Sequence, residues 1–355
     1  MKTLEACYEI EFNKINFFER KTRITHPKTI LTGPPKCGKS YLIFDYLSNF
    51  KSENYLYLDL SDLRNNKEEI AQNLALFVKQ HPIKVLVIEE FEFDFEFPIV
   101  DSVIITTSQQ KNLKGFKTLA INSLDFEEFL LHDNKHQNIT NAFNHFFKYG
   151  NLPEIILIDE NKKIKHIQDI LKTFAHNLSN LEILRVLFEA IDEKKSVYQL
   201  FITLKNRIKI SKDSFYALCK HYEHNRMLFF IEKYNQPKAV KKLYCYNHGF
   251  LSAISHTKKF KNEFTNMVFL ELNNKYKEIY YLESIDFYIK SKKAIIFSIP
   301  FFNDMLIATI KKRVALQIKE CEIKEVFIIT IGNTQTFFID TVKVEVRPFY
   351  EWALS

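Results

Sequence analysis

Residues 33–40 read Gly33-Pro34-Pro35-Lys36-Cys37-Gly38-Lys39-Ser40, a complete G-x-x-x-x-G-K-S loop, in a chain with only six glycines among its 355 residues. Such a loop works only between a strand and a helix. Its backbone N–H groups and the helix N-terminus must converge on one phosphate group. Both flanks fit. Thr29-Ile30-Leu31-Thr32 is a short apolar run with β-branched residues, and Tyr41 to Leu47 carries apolar residues at helical spacing. The motif therefore predicts a phosphate cradle formed by Gly33, Pro34, Pro35, Lys36, Cys37, Gly38, Lys39, Ser40 and Tyr41. Lys39 is expected to reach the β- and γ-phosphates of a nucleotide, and the Ser40 hydroxyl to sit on Mg²⁺. The competing reading, an ordinary glycine turn with an exposed lysine, does not account for the flanks.

Downstream, strand-like and helix-like segments alternate. Tyr55 to Leu60 has strand character, and Glu68 to His81 carries Ile70, Leu74, Leu76 and Phe77 at helical spacing. Val85-Leu86-Val87-Ile88 is a buried-strand pattern that ends in Glu89-Glu90. Ligands of parallel sheets bind beyond the carboxyl ends of the strands, so these acids are expected at the site. Glu89 is assigned to Mg²⁺ through water and Glu90 to the attacking water. Asp is the usual first acid, and Glu89 adds a methylene. Val103 to Ser108 forms another strand ending in hydroxyls, which makes Thr107 and Ser108 candidates for contact with the γ-phosphate or the lytic water. Lys117 to Asn122 is the last strand. The βα alternation predicts an α/β fold with a doubly wound parallel sheet.

The second half reads differently. Ser179-Asn180-Leu181-Glu182 has the pattern of a capping box ahead of Leu184, Leu187, Phe188 and Ile191. Ser196 and Ser211 are placed to cap two more short helices, and Leu228 to Ile231 follows as a strand. Three short helices and a strand suggest a winged helix. Lys205, Arg207, Lys209, Lys212 and Lys220 around its third helix are candidates for phosphate contacts with duplex DNA. A net charge of +7 permits an anionic partner without demanding one. The five cysteines are scattered without a C-x-x-C pair, as in free thiols of a reducing cytosol, and no zinc pattern appears. No run approaches the roughly 18 apolar residues of a membrane span, and the N-terminus lacks a signal peptide's apolar core. A cytoplasmic protein with no membrane attachment is expected.

Taken together, these residues resemble bacterial and archaeal AAA-type P-loop ATPases that carry a C-terminal winged helix and a restriction-endonuclease-like domain. The likeness rests on the loop and the Glu89-Glu90 strand. It extends to Leu124-Asp125-Phe126-Glu127-Glu128-Phe129-Leu130 and to the turn Tyr149-Gly150-Asn151-Leu152-Pro153-Glu154. One departure matters. Where the family places Gly-Arg before the last strand, Gly115 is followed by Phe116 and Lys117, so an arginine finger there is in doubt. The resemblance implies ATP and Mg²⁺ as ligands and a site that copies of the chain can share in a homo-oligomer. It divides the chain into an ATPase core (1–145), a helical connector (146–178), a winged helix (179–236) and a nuclease-like domain (237–355).

That last domain lacks its expected chemistry. Asn247 stands where the family has Asp, and Glu271 and Asp286 are the remaining acids of the nuclease pattern. The strand Ala294 to Ile299 should supply Glu-x-Lys, yet no acid occurs between Phe287 and Asn303. Without that acid and lysine a two-metal hydrolytic site is incomplete, so an inactive nuclease fold is expected. Three functional readings follow: an ATP-hydrolysing, DNA-associated switch or motor; a non-hydrolysing, nucleotide-gated scaffold for a protein partner; and, against the missing Glu-x-Lys, an active nuclease.

Overall fold

The computed structural model describes residues 1–12, 19–175 and 177–355, and the chain divides into two units, Met1–Ser123 and Leu124–Ser355. In the first unit, α1 (Lys2–Tyr8) precedes β1 (Lys28–Thr32), α2 (Lys39–Leu47), β2 (Tyr55–Asp59), α3 (Lys67–Gln80), β3 (Val85–Glu89), β4 (Ser102–Thr106) and β5 (Lys117–Ala120). The sheet order is β2-β3-β4-β1-β5, with every neighbouring pair parallel. The expected parallel α/β sheet is therefore present. Alternate side chains serve two cores, one on each face. Leu56, Leu58, Leu86, Ile88, Val103 and Ile105 pack with Ile70, Leu74 and Phe77 of α3. Tyr55, Tyr57, Val85, Val87 and Ile104 pack with Leu42, Ile43 and Leu47 of α2. This two-sided burial explains the unbroken apolar runs of β3 and β4. The order also inserts β4 between the strand that leads into the loop and the strand that ends in the acids.

The second unit opens with α4 (Phe126–His132), α5 (Ile139–Tyr149), α6 (Pro153–Leu157) and α7 (Glu160–Ala175). Phe126 packs its ring on Phe143 and Phe146 of α5 and on Phe349, which draws the segment after Ser123 into this unit. Next come α8 (Leu178–Glu189), α9 (Val197–Lys205), α10 (Lys212–His224) and an antiparallel pair, β6 (Leu228–Ile231) with β7 (Lys242–Cys245). Ser196 caps α9 in a full capping box with Gln199, and Ser211 caps α10. The Ser179 cap is not formed. Asn177 caps α8 instead, accepting from the Asn180 N–H, and the helix begins at Leu178. Asn and Ser are nearly equal as caps, so neighbouring candidates compete.

The remainder is α11 (Phe250–Ile254), α12 (Phe260–Lys275), β8 (Ile279–Leu282), β9 (Ile285–Ile289), β10 (Ala294–Ser298), α13 (Ile307–Cys321), β11 (Glu325–Thr330), β12 (Gln335–Ile339), β13 (Val342–Pro348) and α14 (Phe349–Trp352). Its strands form a mixed sheet in the order β12-β13-β11-β10-β9-β8. β10, β11 and β13 run parallel, and the outer pairings are antiparallel. Ile310 and Val314 of α13 cover one face over Ile295, Phe297, Val326, Ile328 and Val344.

Candidate functional site

Strand β1 delivers the chain into the loop at Gly33, where a Cβ would lie 2.3 Å from the Ile121 carbonyl oxygen. Only glycine permits that approach. Lys36 and Gly38, with φ of 62° and 99°, sit in the left-handed region and curl the loop back to the start of α2. Gly38 is the N-cap of α2 and offers no side-chain acceptor, so the first-turn N–H groups remain for an anion. Lys39 Nζ donates to the carbonyls of Gly33 at 3.0 Å and Pro34 at 3.1 Å and so lies across the loop. Cys37 is buried beneath it, and burial raises its thiol pKa, which makes it a packing residue. Tyr41 is 56% exposed on the first turn of α2.

At the end of β3, Glu89 is buried, and its two carboxylate oxygens take separate donors. The Ser40 hydroxyl donates to Oε2 at 2.9 Å, and the Tyr57 hydroxyl donates to Oε1 at 2.7 Å. Burial raises the Glu89 pKa, the two hydroxyl donors pull it back, and the charges of Asp59 and Glu90 push it up again. Burial, with the Glu89 charge beside it, likewise raises the Tyr57 phenol. Ser40 and Glu89 thus bring two hard oxygen donors together at the start of α2. That donor set fits Mg²⁺.

Glu90 follows β3 with φ of 53°, an uncommon conformation for a non-glycine residue. Its N–H donates to Thr106 Oγ1 at 2.9 Å, and the Phe91 N–H donates to the Thr106 carbonyl at 2.9 Å. The Glu90 side chain is exposed. Of the two hydroxyl candidates after β4, Thr107 is buried and its Oγ1 accepts from the Gln109 N–H at 3.0 Å, while Ser108 is exposed. Thr106, the last residue of β4, is the hydroxyl that meets the acid-bearing turn. The sequence reading did not single it out, nor Tyr57, nor Arg20. Arg20 donates to the Cys37 and Asn122 carbonyls, both at 2.9 Å, and so ties the loop to the chain just beyond β5. The signals were present but weak: a threonine closing an apolar strand, a tyrosine in a β2 pattern, and one arginine among lysines.

In the second unit, Lys205, Lys209, Lys212 and Lys220 are exposed around α9 and α10. Lys212 Nζ lies over the Tyr198 and Tyr216 rings at 5.4 and 5.5 Å. Arg207 instead pairs with Glu189 at 2.7 Å and with Glu182 at 3.9 Å. The two acids of the nuclease pattern serve different partners. Glu271 Oε2 accepts from the Phe126 N–H at 3.2 Å, at the first turn of α4. Asp286 Oδ2 accepts from the Ser298 N–H at 2.9 Å, and Oδ1 faces Lys242 at 3.6 Å and Lys261 at 3.5 Å. Asp192 shares both lysines, at 2.7 and 3.6 Å. Asn247 is buried, with Oδ1 accepting from the Gly249 N–H at 2.7 Å. His248 is a buried turn residue: Nε2 bonds the Phe146 carbonyl at 2.8 Å, and burial pushes its pKa down to about 4. Among the described residues, no cluster of three or more His, Cys, Asp or Glu side chains is arranged to hold a metal. No helix among them is long and apolar enough to cross a membrane.

The first unit is therefore an all-parallel α/β domain with a G-x-x-x-x-G-K-S loop after β1, the strand between β4 and β5, consistent with the fold of P-loop ATPases. No family model matches the chain. The uncharacterized protein MJ1544 of Methanocaldococcus jannaschii is 23% identical over 92% of this chain and 88% of its own length. Among solved structures, the Walker-type ATPase PABY2304 of Pyrococcus abyssi aligns with a TM-score of 0.43 and 12% identity, covering 71% of this chain and 93% of that one. Similarity at these levels assigns neither an activity nor a ligand.

Proposed function

We propose that the chain binds Mg-ATP at the loop of residues 33–40 and hydrolyses it, coupling the nucleotide state to its second unit. The observation that carries this reading is the 2.9 Å bond between Ser40 and Glu89 beside an uncapped helix N-terminus. Loop and α2 N–H groups bind the phosphates, and Lys39 exchanges its loop carbonyls for β- and γ-phosphate oxygens. Ser40 and Glu89 would hold the Mg²⁺, which would supply charge neutralisation to the phosphates of the bound nucleotide. Glu90, fixed by Thr106, orients the attacking water, with Thr107 and Ser108 as neighbouring hydroxyls. The preference for adenine rests on the family resemblance.

For the second unit we assign residues 179–236 to a winged helix and 237–355 to a nuclease-like fold without nuclease activity. Lys205, Lys209, Lys212 and Lys220 supply exposed charge for DNA phosphates, with Arg207 drawn back into ion pairs. The internal pairing of Asp286 with Lys242 and Lys261 supports the inactive assignment. A second reading, the nucleotide-gated scaffold, is favoured by the arginines. Arg20 binds the Cys37 and Asn122 carbonyls, while Arg23, Arg64 and Arg185 pair with Glu19, Asp62 and Glu182, so each of these four guanidinium groups has an acceptor of its own. Titration of ATP with Mg²⁺ into the wild type and Lys39→Ala tests the shared premise. Binding lost in the variant supports it; equal affinity in both contradicts it.

A further inference from the structure

We propose that Tyr57 is a positioning residue that lets a glutamate do the work of the usual aspartate at the metal side of the nucleotide site. This assignment rests on the Mg-ATP reading above. A glutamate has one more rotatable bond than aspartate, so a buried Glu89 needs something to hold its carboxylate in one place. Its oxygens are held from two sides, by Ser40 on Oε2 and by Tyr57 on Oε1. The Ser40 oxygen is needed for the metal, so Tyr57 is the donor that stays on the carboxylate when Mg²⁺ is bound.

The strand register explains why a tyrosine can do this. Tyr57 pairs with Val87 across β2 and β3, and Glu89 lies two residues further along the same strand. Residues two apart share a face, and a diagonal neighbour across a pair lies within reach of an aromatic side chain. The Tyr57 ring is 7% exposed and fixed by Phe12 and Phe44, with ring centroids at 5.1 and 5.4 Å. The pair is coupled in both directions: shortening Glu89 strands a buried phenol, and removing the phenol frees a buried carboxylate arm.

The test uses the full chain and a fluorescent ATP analogue, mant-ATP, titrated with Mg²⁺ and with EDTA. The variants are Tyr57→Phe, Glu89→Asp and the double substitution. In Tyr57→Phe the affinity gained from Mg²⁺ is expected to fall about tenfold, as for loss of one hydrogen bond to a charged group. Its affinity in EDTA stays within about twofold, since the phosphate cradle is untouched. The double variant is expected to be no worse than the weaker single variant. A wild-type Mg²⁺ gain that survives intact in Tyr57→Phe overturns the assignment. So do losses that multiply in the double variant, or an EDTA affinity that falls as far as the Mg²⁺ affinity, which marks a structural role. A wild type with equal affinity in Mg²⁺ and EDTA overturns the metal-side assignment alone, whereas a wild type that binds no mant-ATP overturns the nucleotide reading, and the assignment with it.

Discussion

Lys163 on α7 carries the sharpest stability prediction. Its side chain is 1% exposed, and its ammonium has no hydrogen-bond partner among the described residues. The Tyr149 ring faces it at 5.5 Å. Burial first, then the charge of Lys135, pull its pKa from 10.5 down to about 8, against opposing pulls from Asp133, Glu160 and Asp159. Below pH 8 the amine is charged in both the folded and unfolded chain, and the folded state bears the whole penalty, roughly 3 kcal/mol. Between pH 8 and 10.5 the folded form loses its proton before the unfolded chain does, so the penalty fades. The cation–π contact offsets about 1 kcal/mol of it. Lys163→Met, which keeps the stem volume, is therefore expected to stabilise the second unit by about 2 kcal/mol at pH 7, raising its Tm by about 5 °C. At pH 10 the advantage shrinks below about 1 kcal/mol. Denaturant titration and calorimetry of both proteins at the two pH values read this directly. A variant less stable at pH 7, or an advantage that does not change with pH, refutes a buried, unpaired charge.

Two further predictions follow from close contacts. Gly150 has φ of 85°, and a Cβ there would lie 2.0 Å from Asn247 Oδ1, so Gly150→Ala is expected to cost about 3 kcal/mol or more in denaturant titration; a loss under about 1 kcal/mol contradicts the packing. Arg20→Ala removes two donors behind the loop, and mant-ATP affinity is expected to fall about tenfold equally in Mg²⁺ and in EDTA. A loss confined to Mg²⁺ would place Arg20 on the metal side instead.

What was legible in the sequence was local. The loop spacing located the strand–turn–helix, the acids after Val85–Ile88 located the end of β3, and Ser196 and Ser211 marked helix starts through bonds spanning three residues. What was missed depends on register or distant packing. Tyr57 matters because β2 lies beside β3, and Thr106 because β4 is inserted between β3 and β1. No periodicity encodes that order. The competition between Asn177 and Ser179 turns on a φ/ψ choice that both residues permit. The burial of Asn247 depends on Gly150, almost a hundred positions earlier, making room for it. Glu271 drew notice only through the nuclease resemblance; its partner, the Phe126 N–H at the start of α4, is invisible to pattern.

The most direct measurement is phosphate release from Mg-ATP by the full chain, with and without duplex DNA, comparing the wild type with Lys39→Ala and Glu90→Gln. Turnover in the wild type that both substitutions abolish is the predicted result, and its increase with DNA supports the DNA-associated form of the account. A wild type that binds ATP without releasing phosphate, or turnover that survives Lys39→Ala, contradicts it.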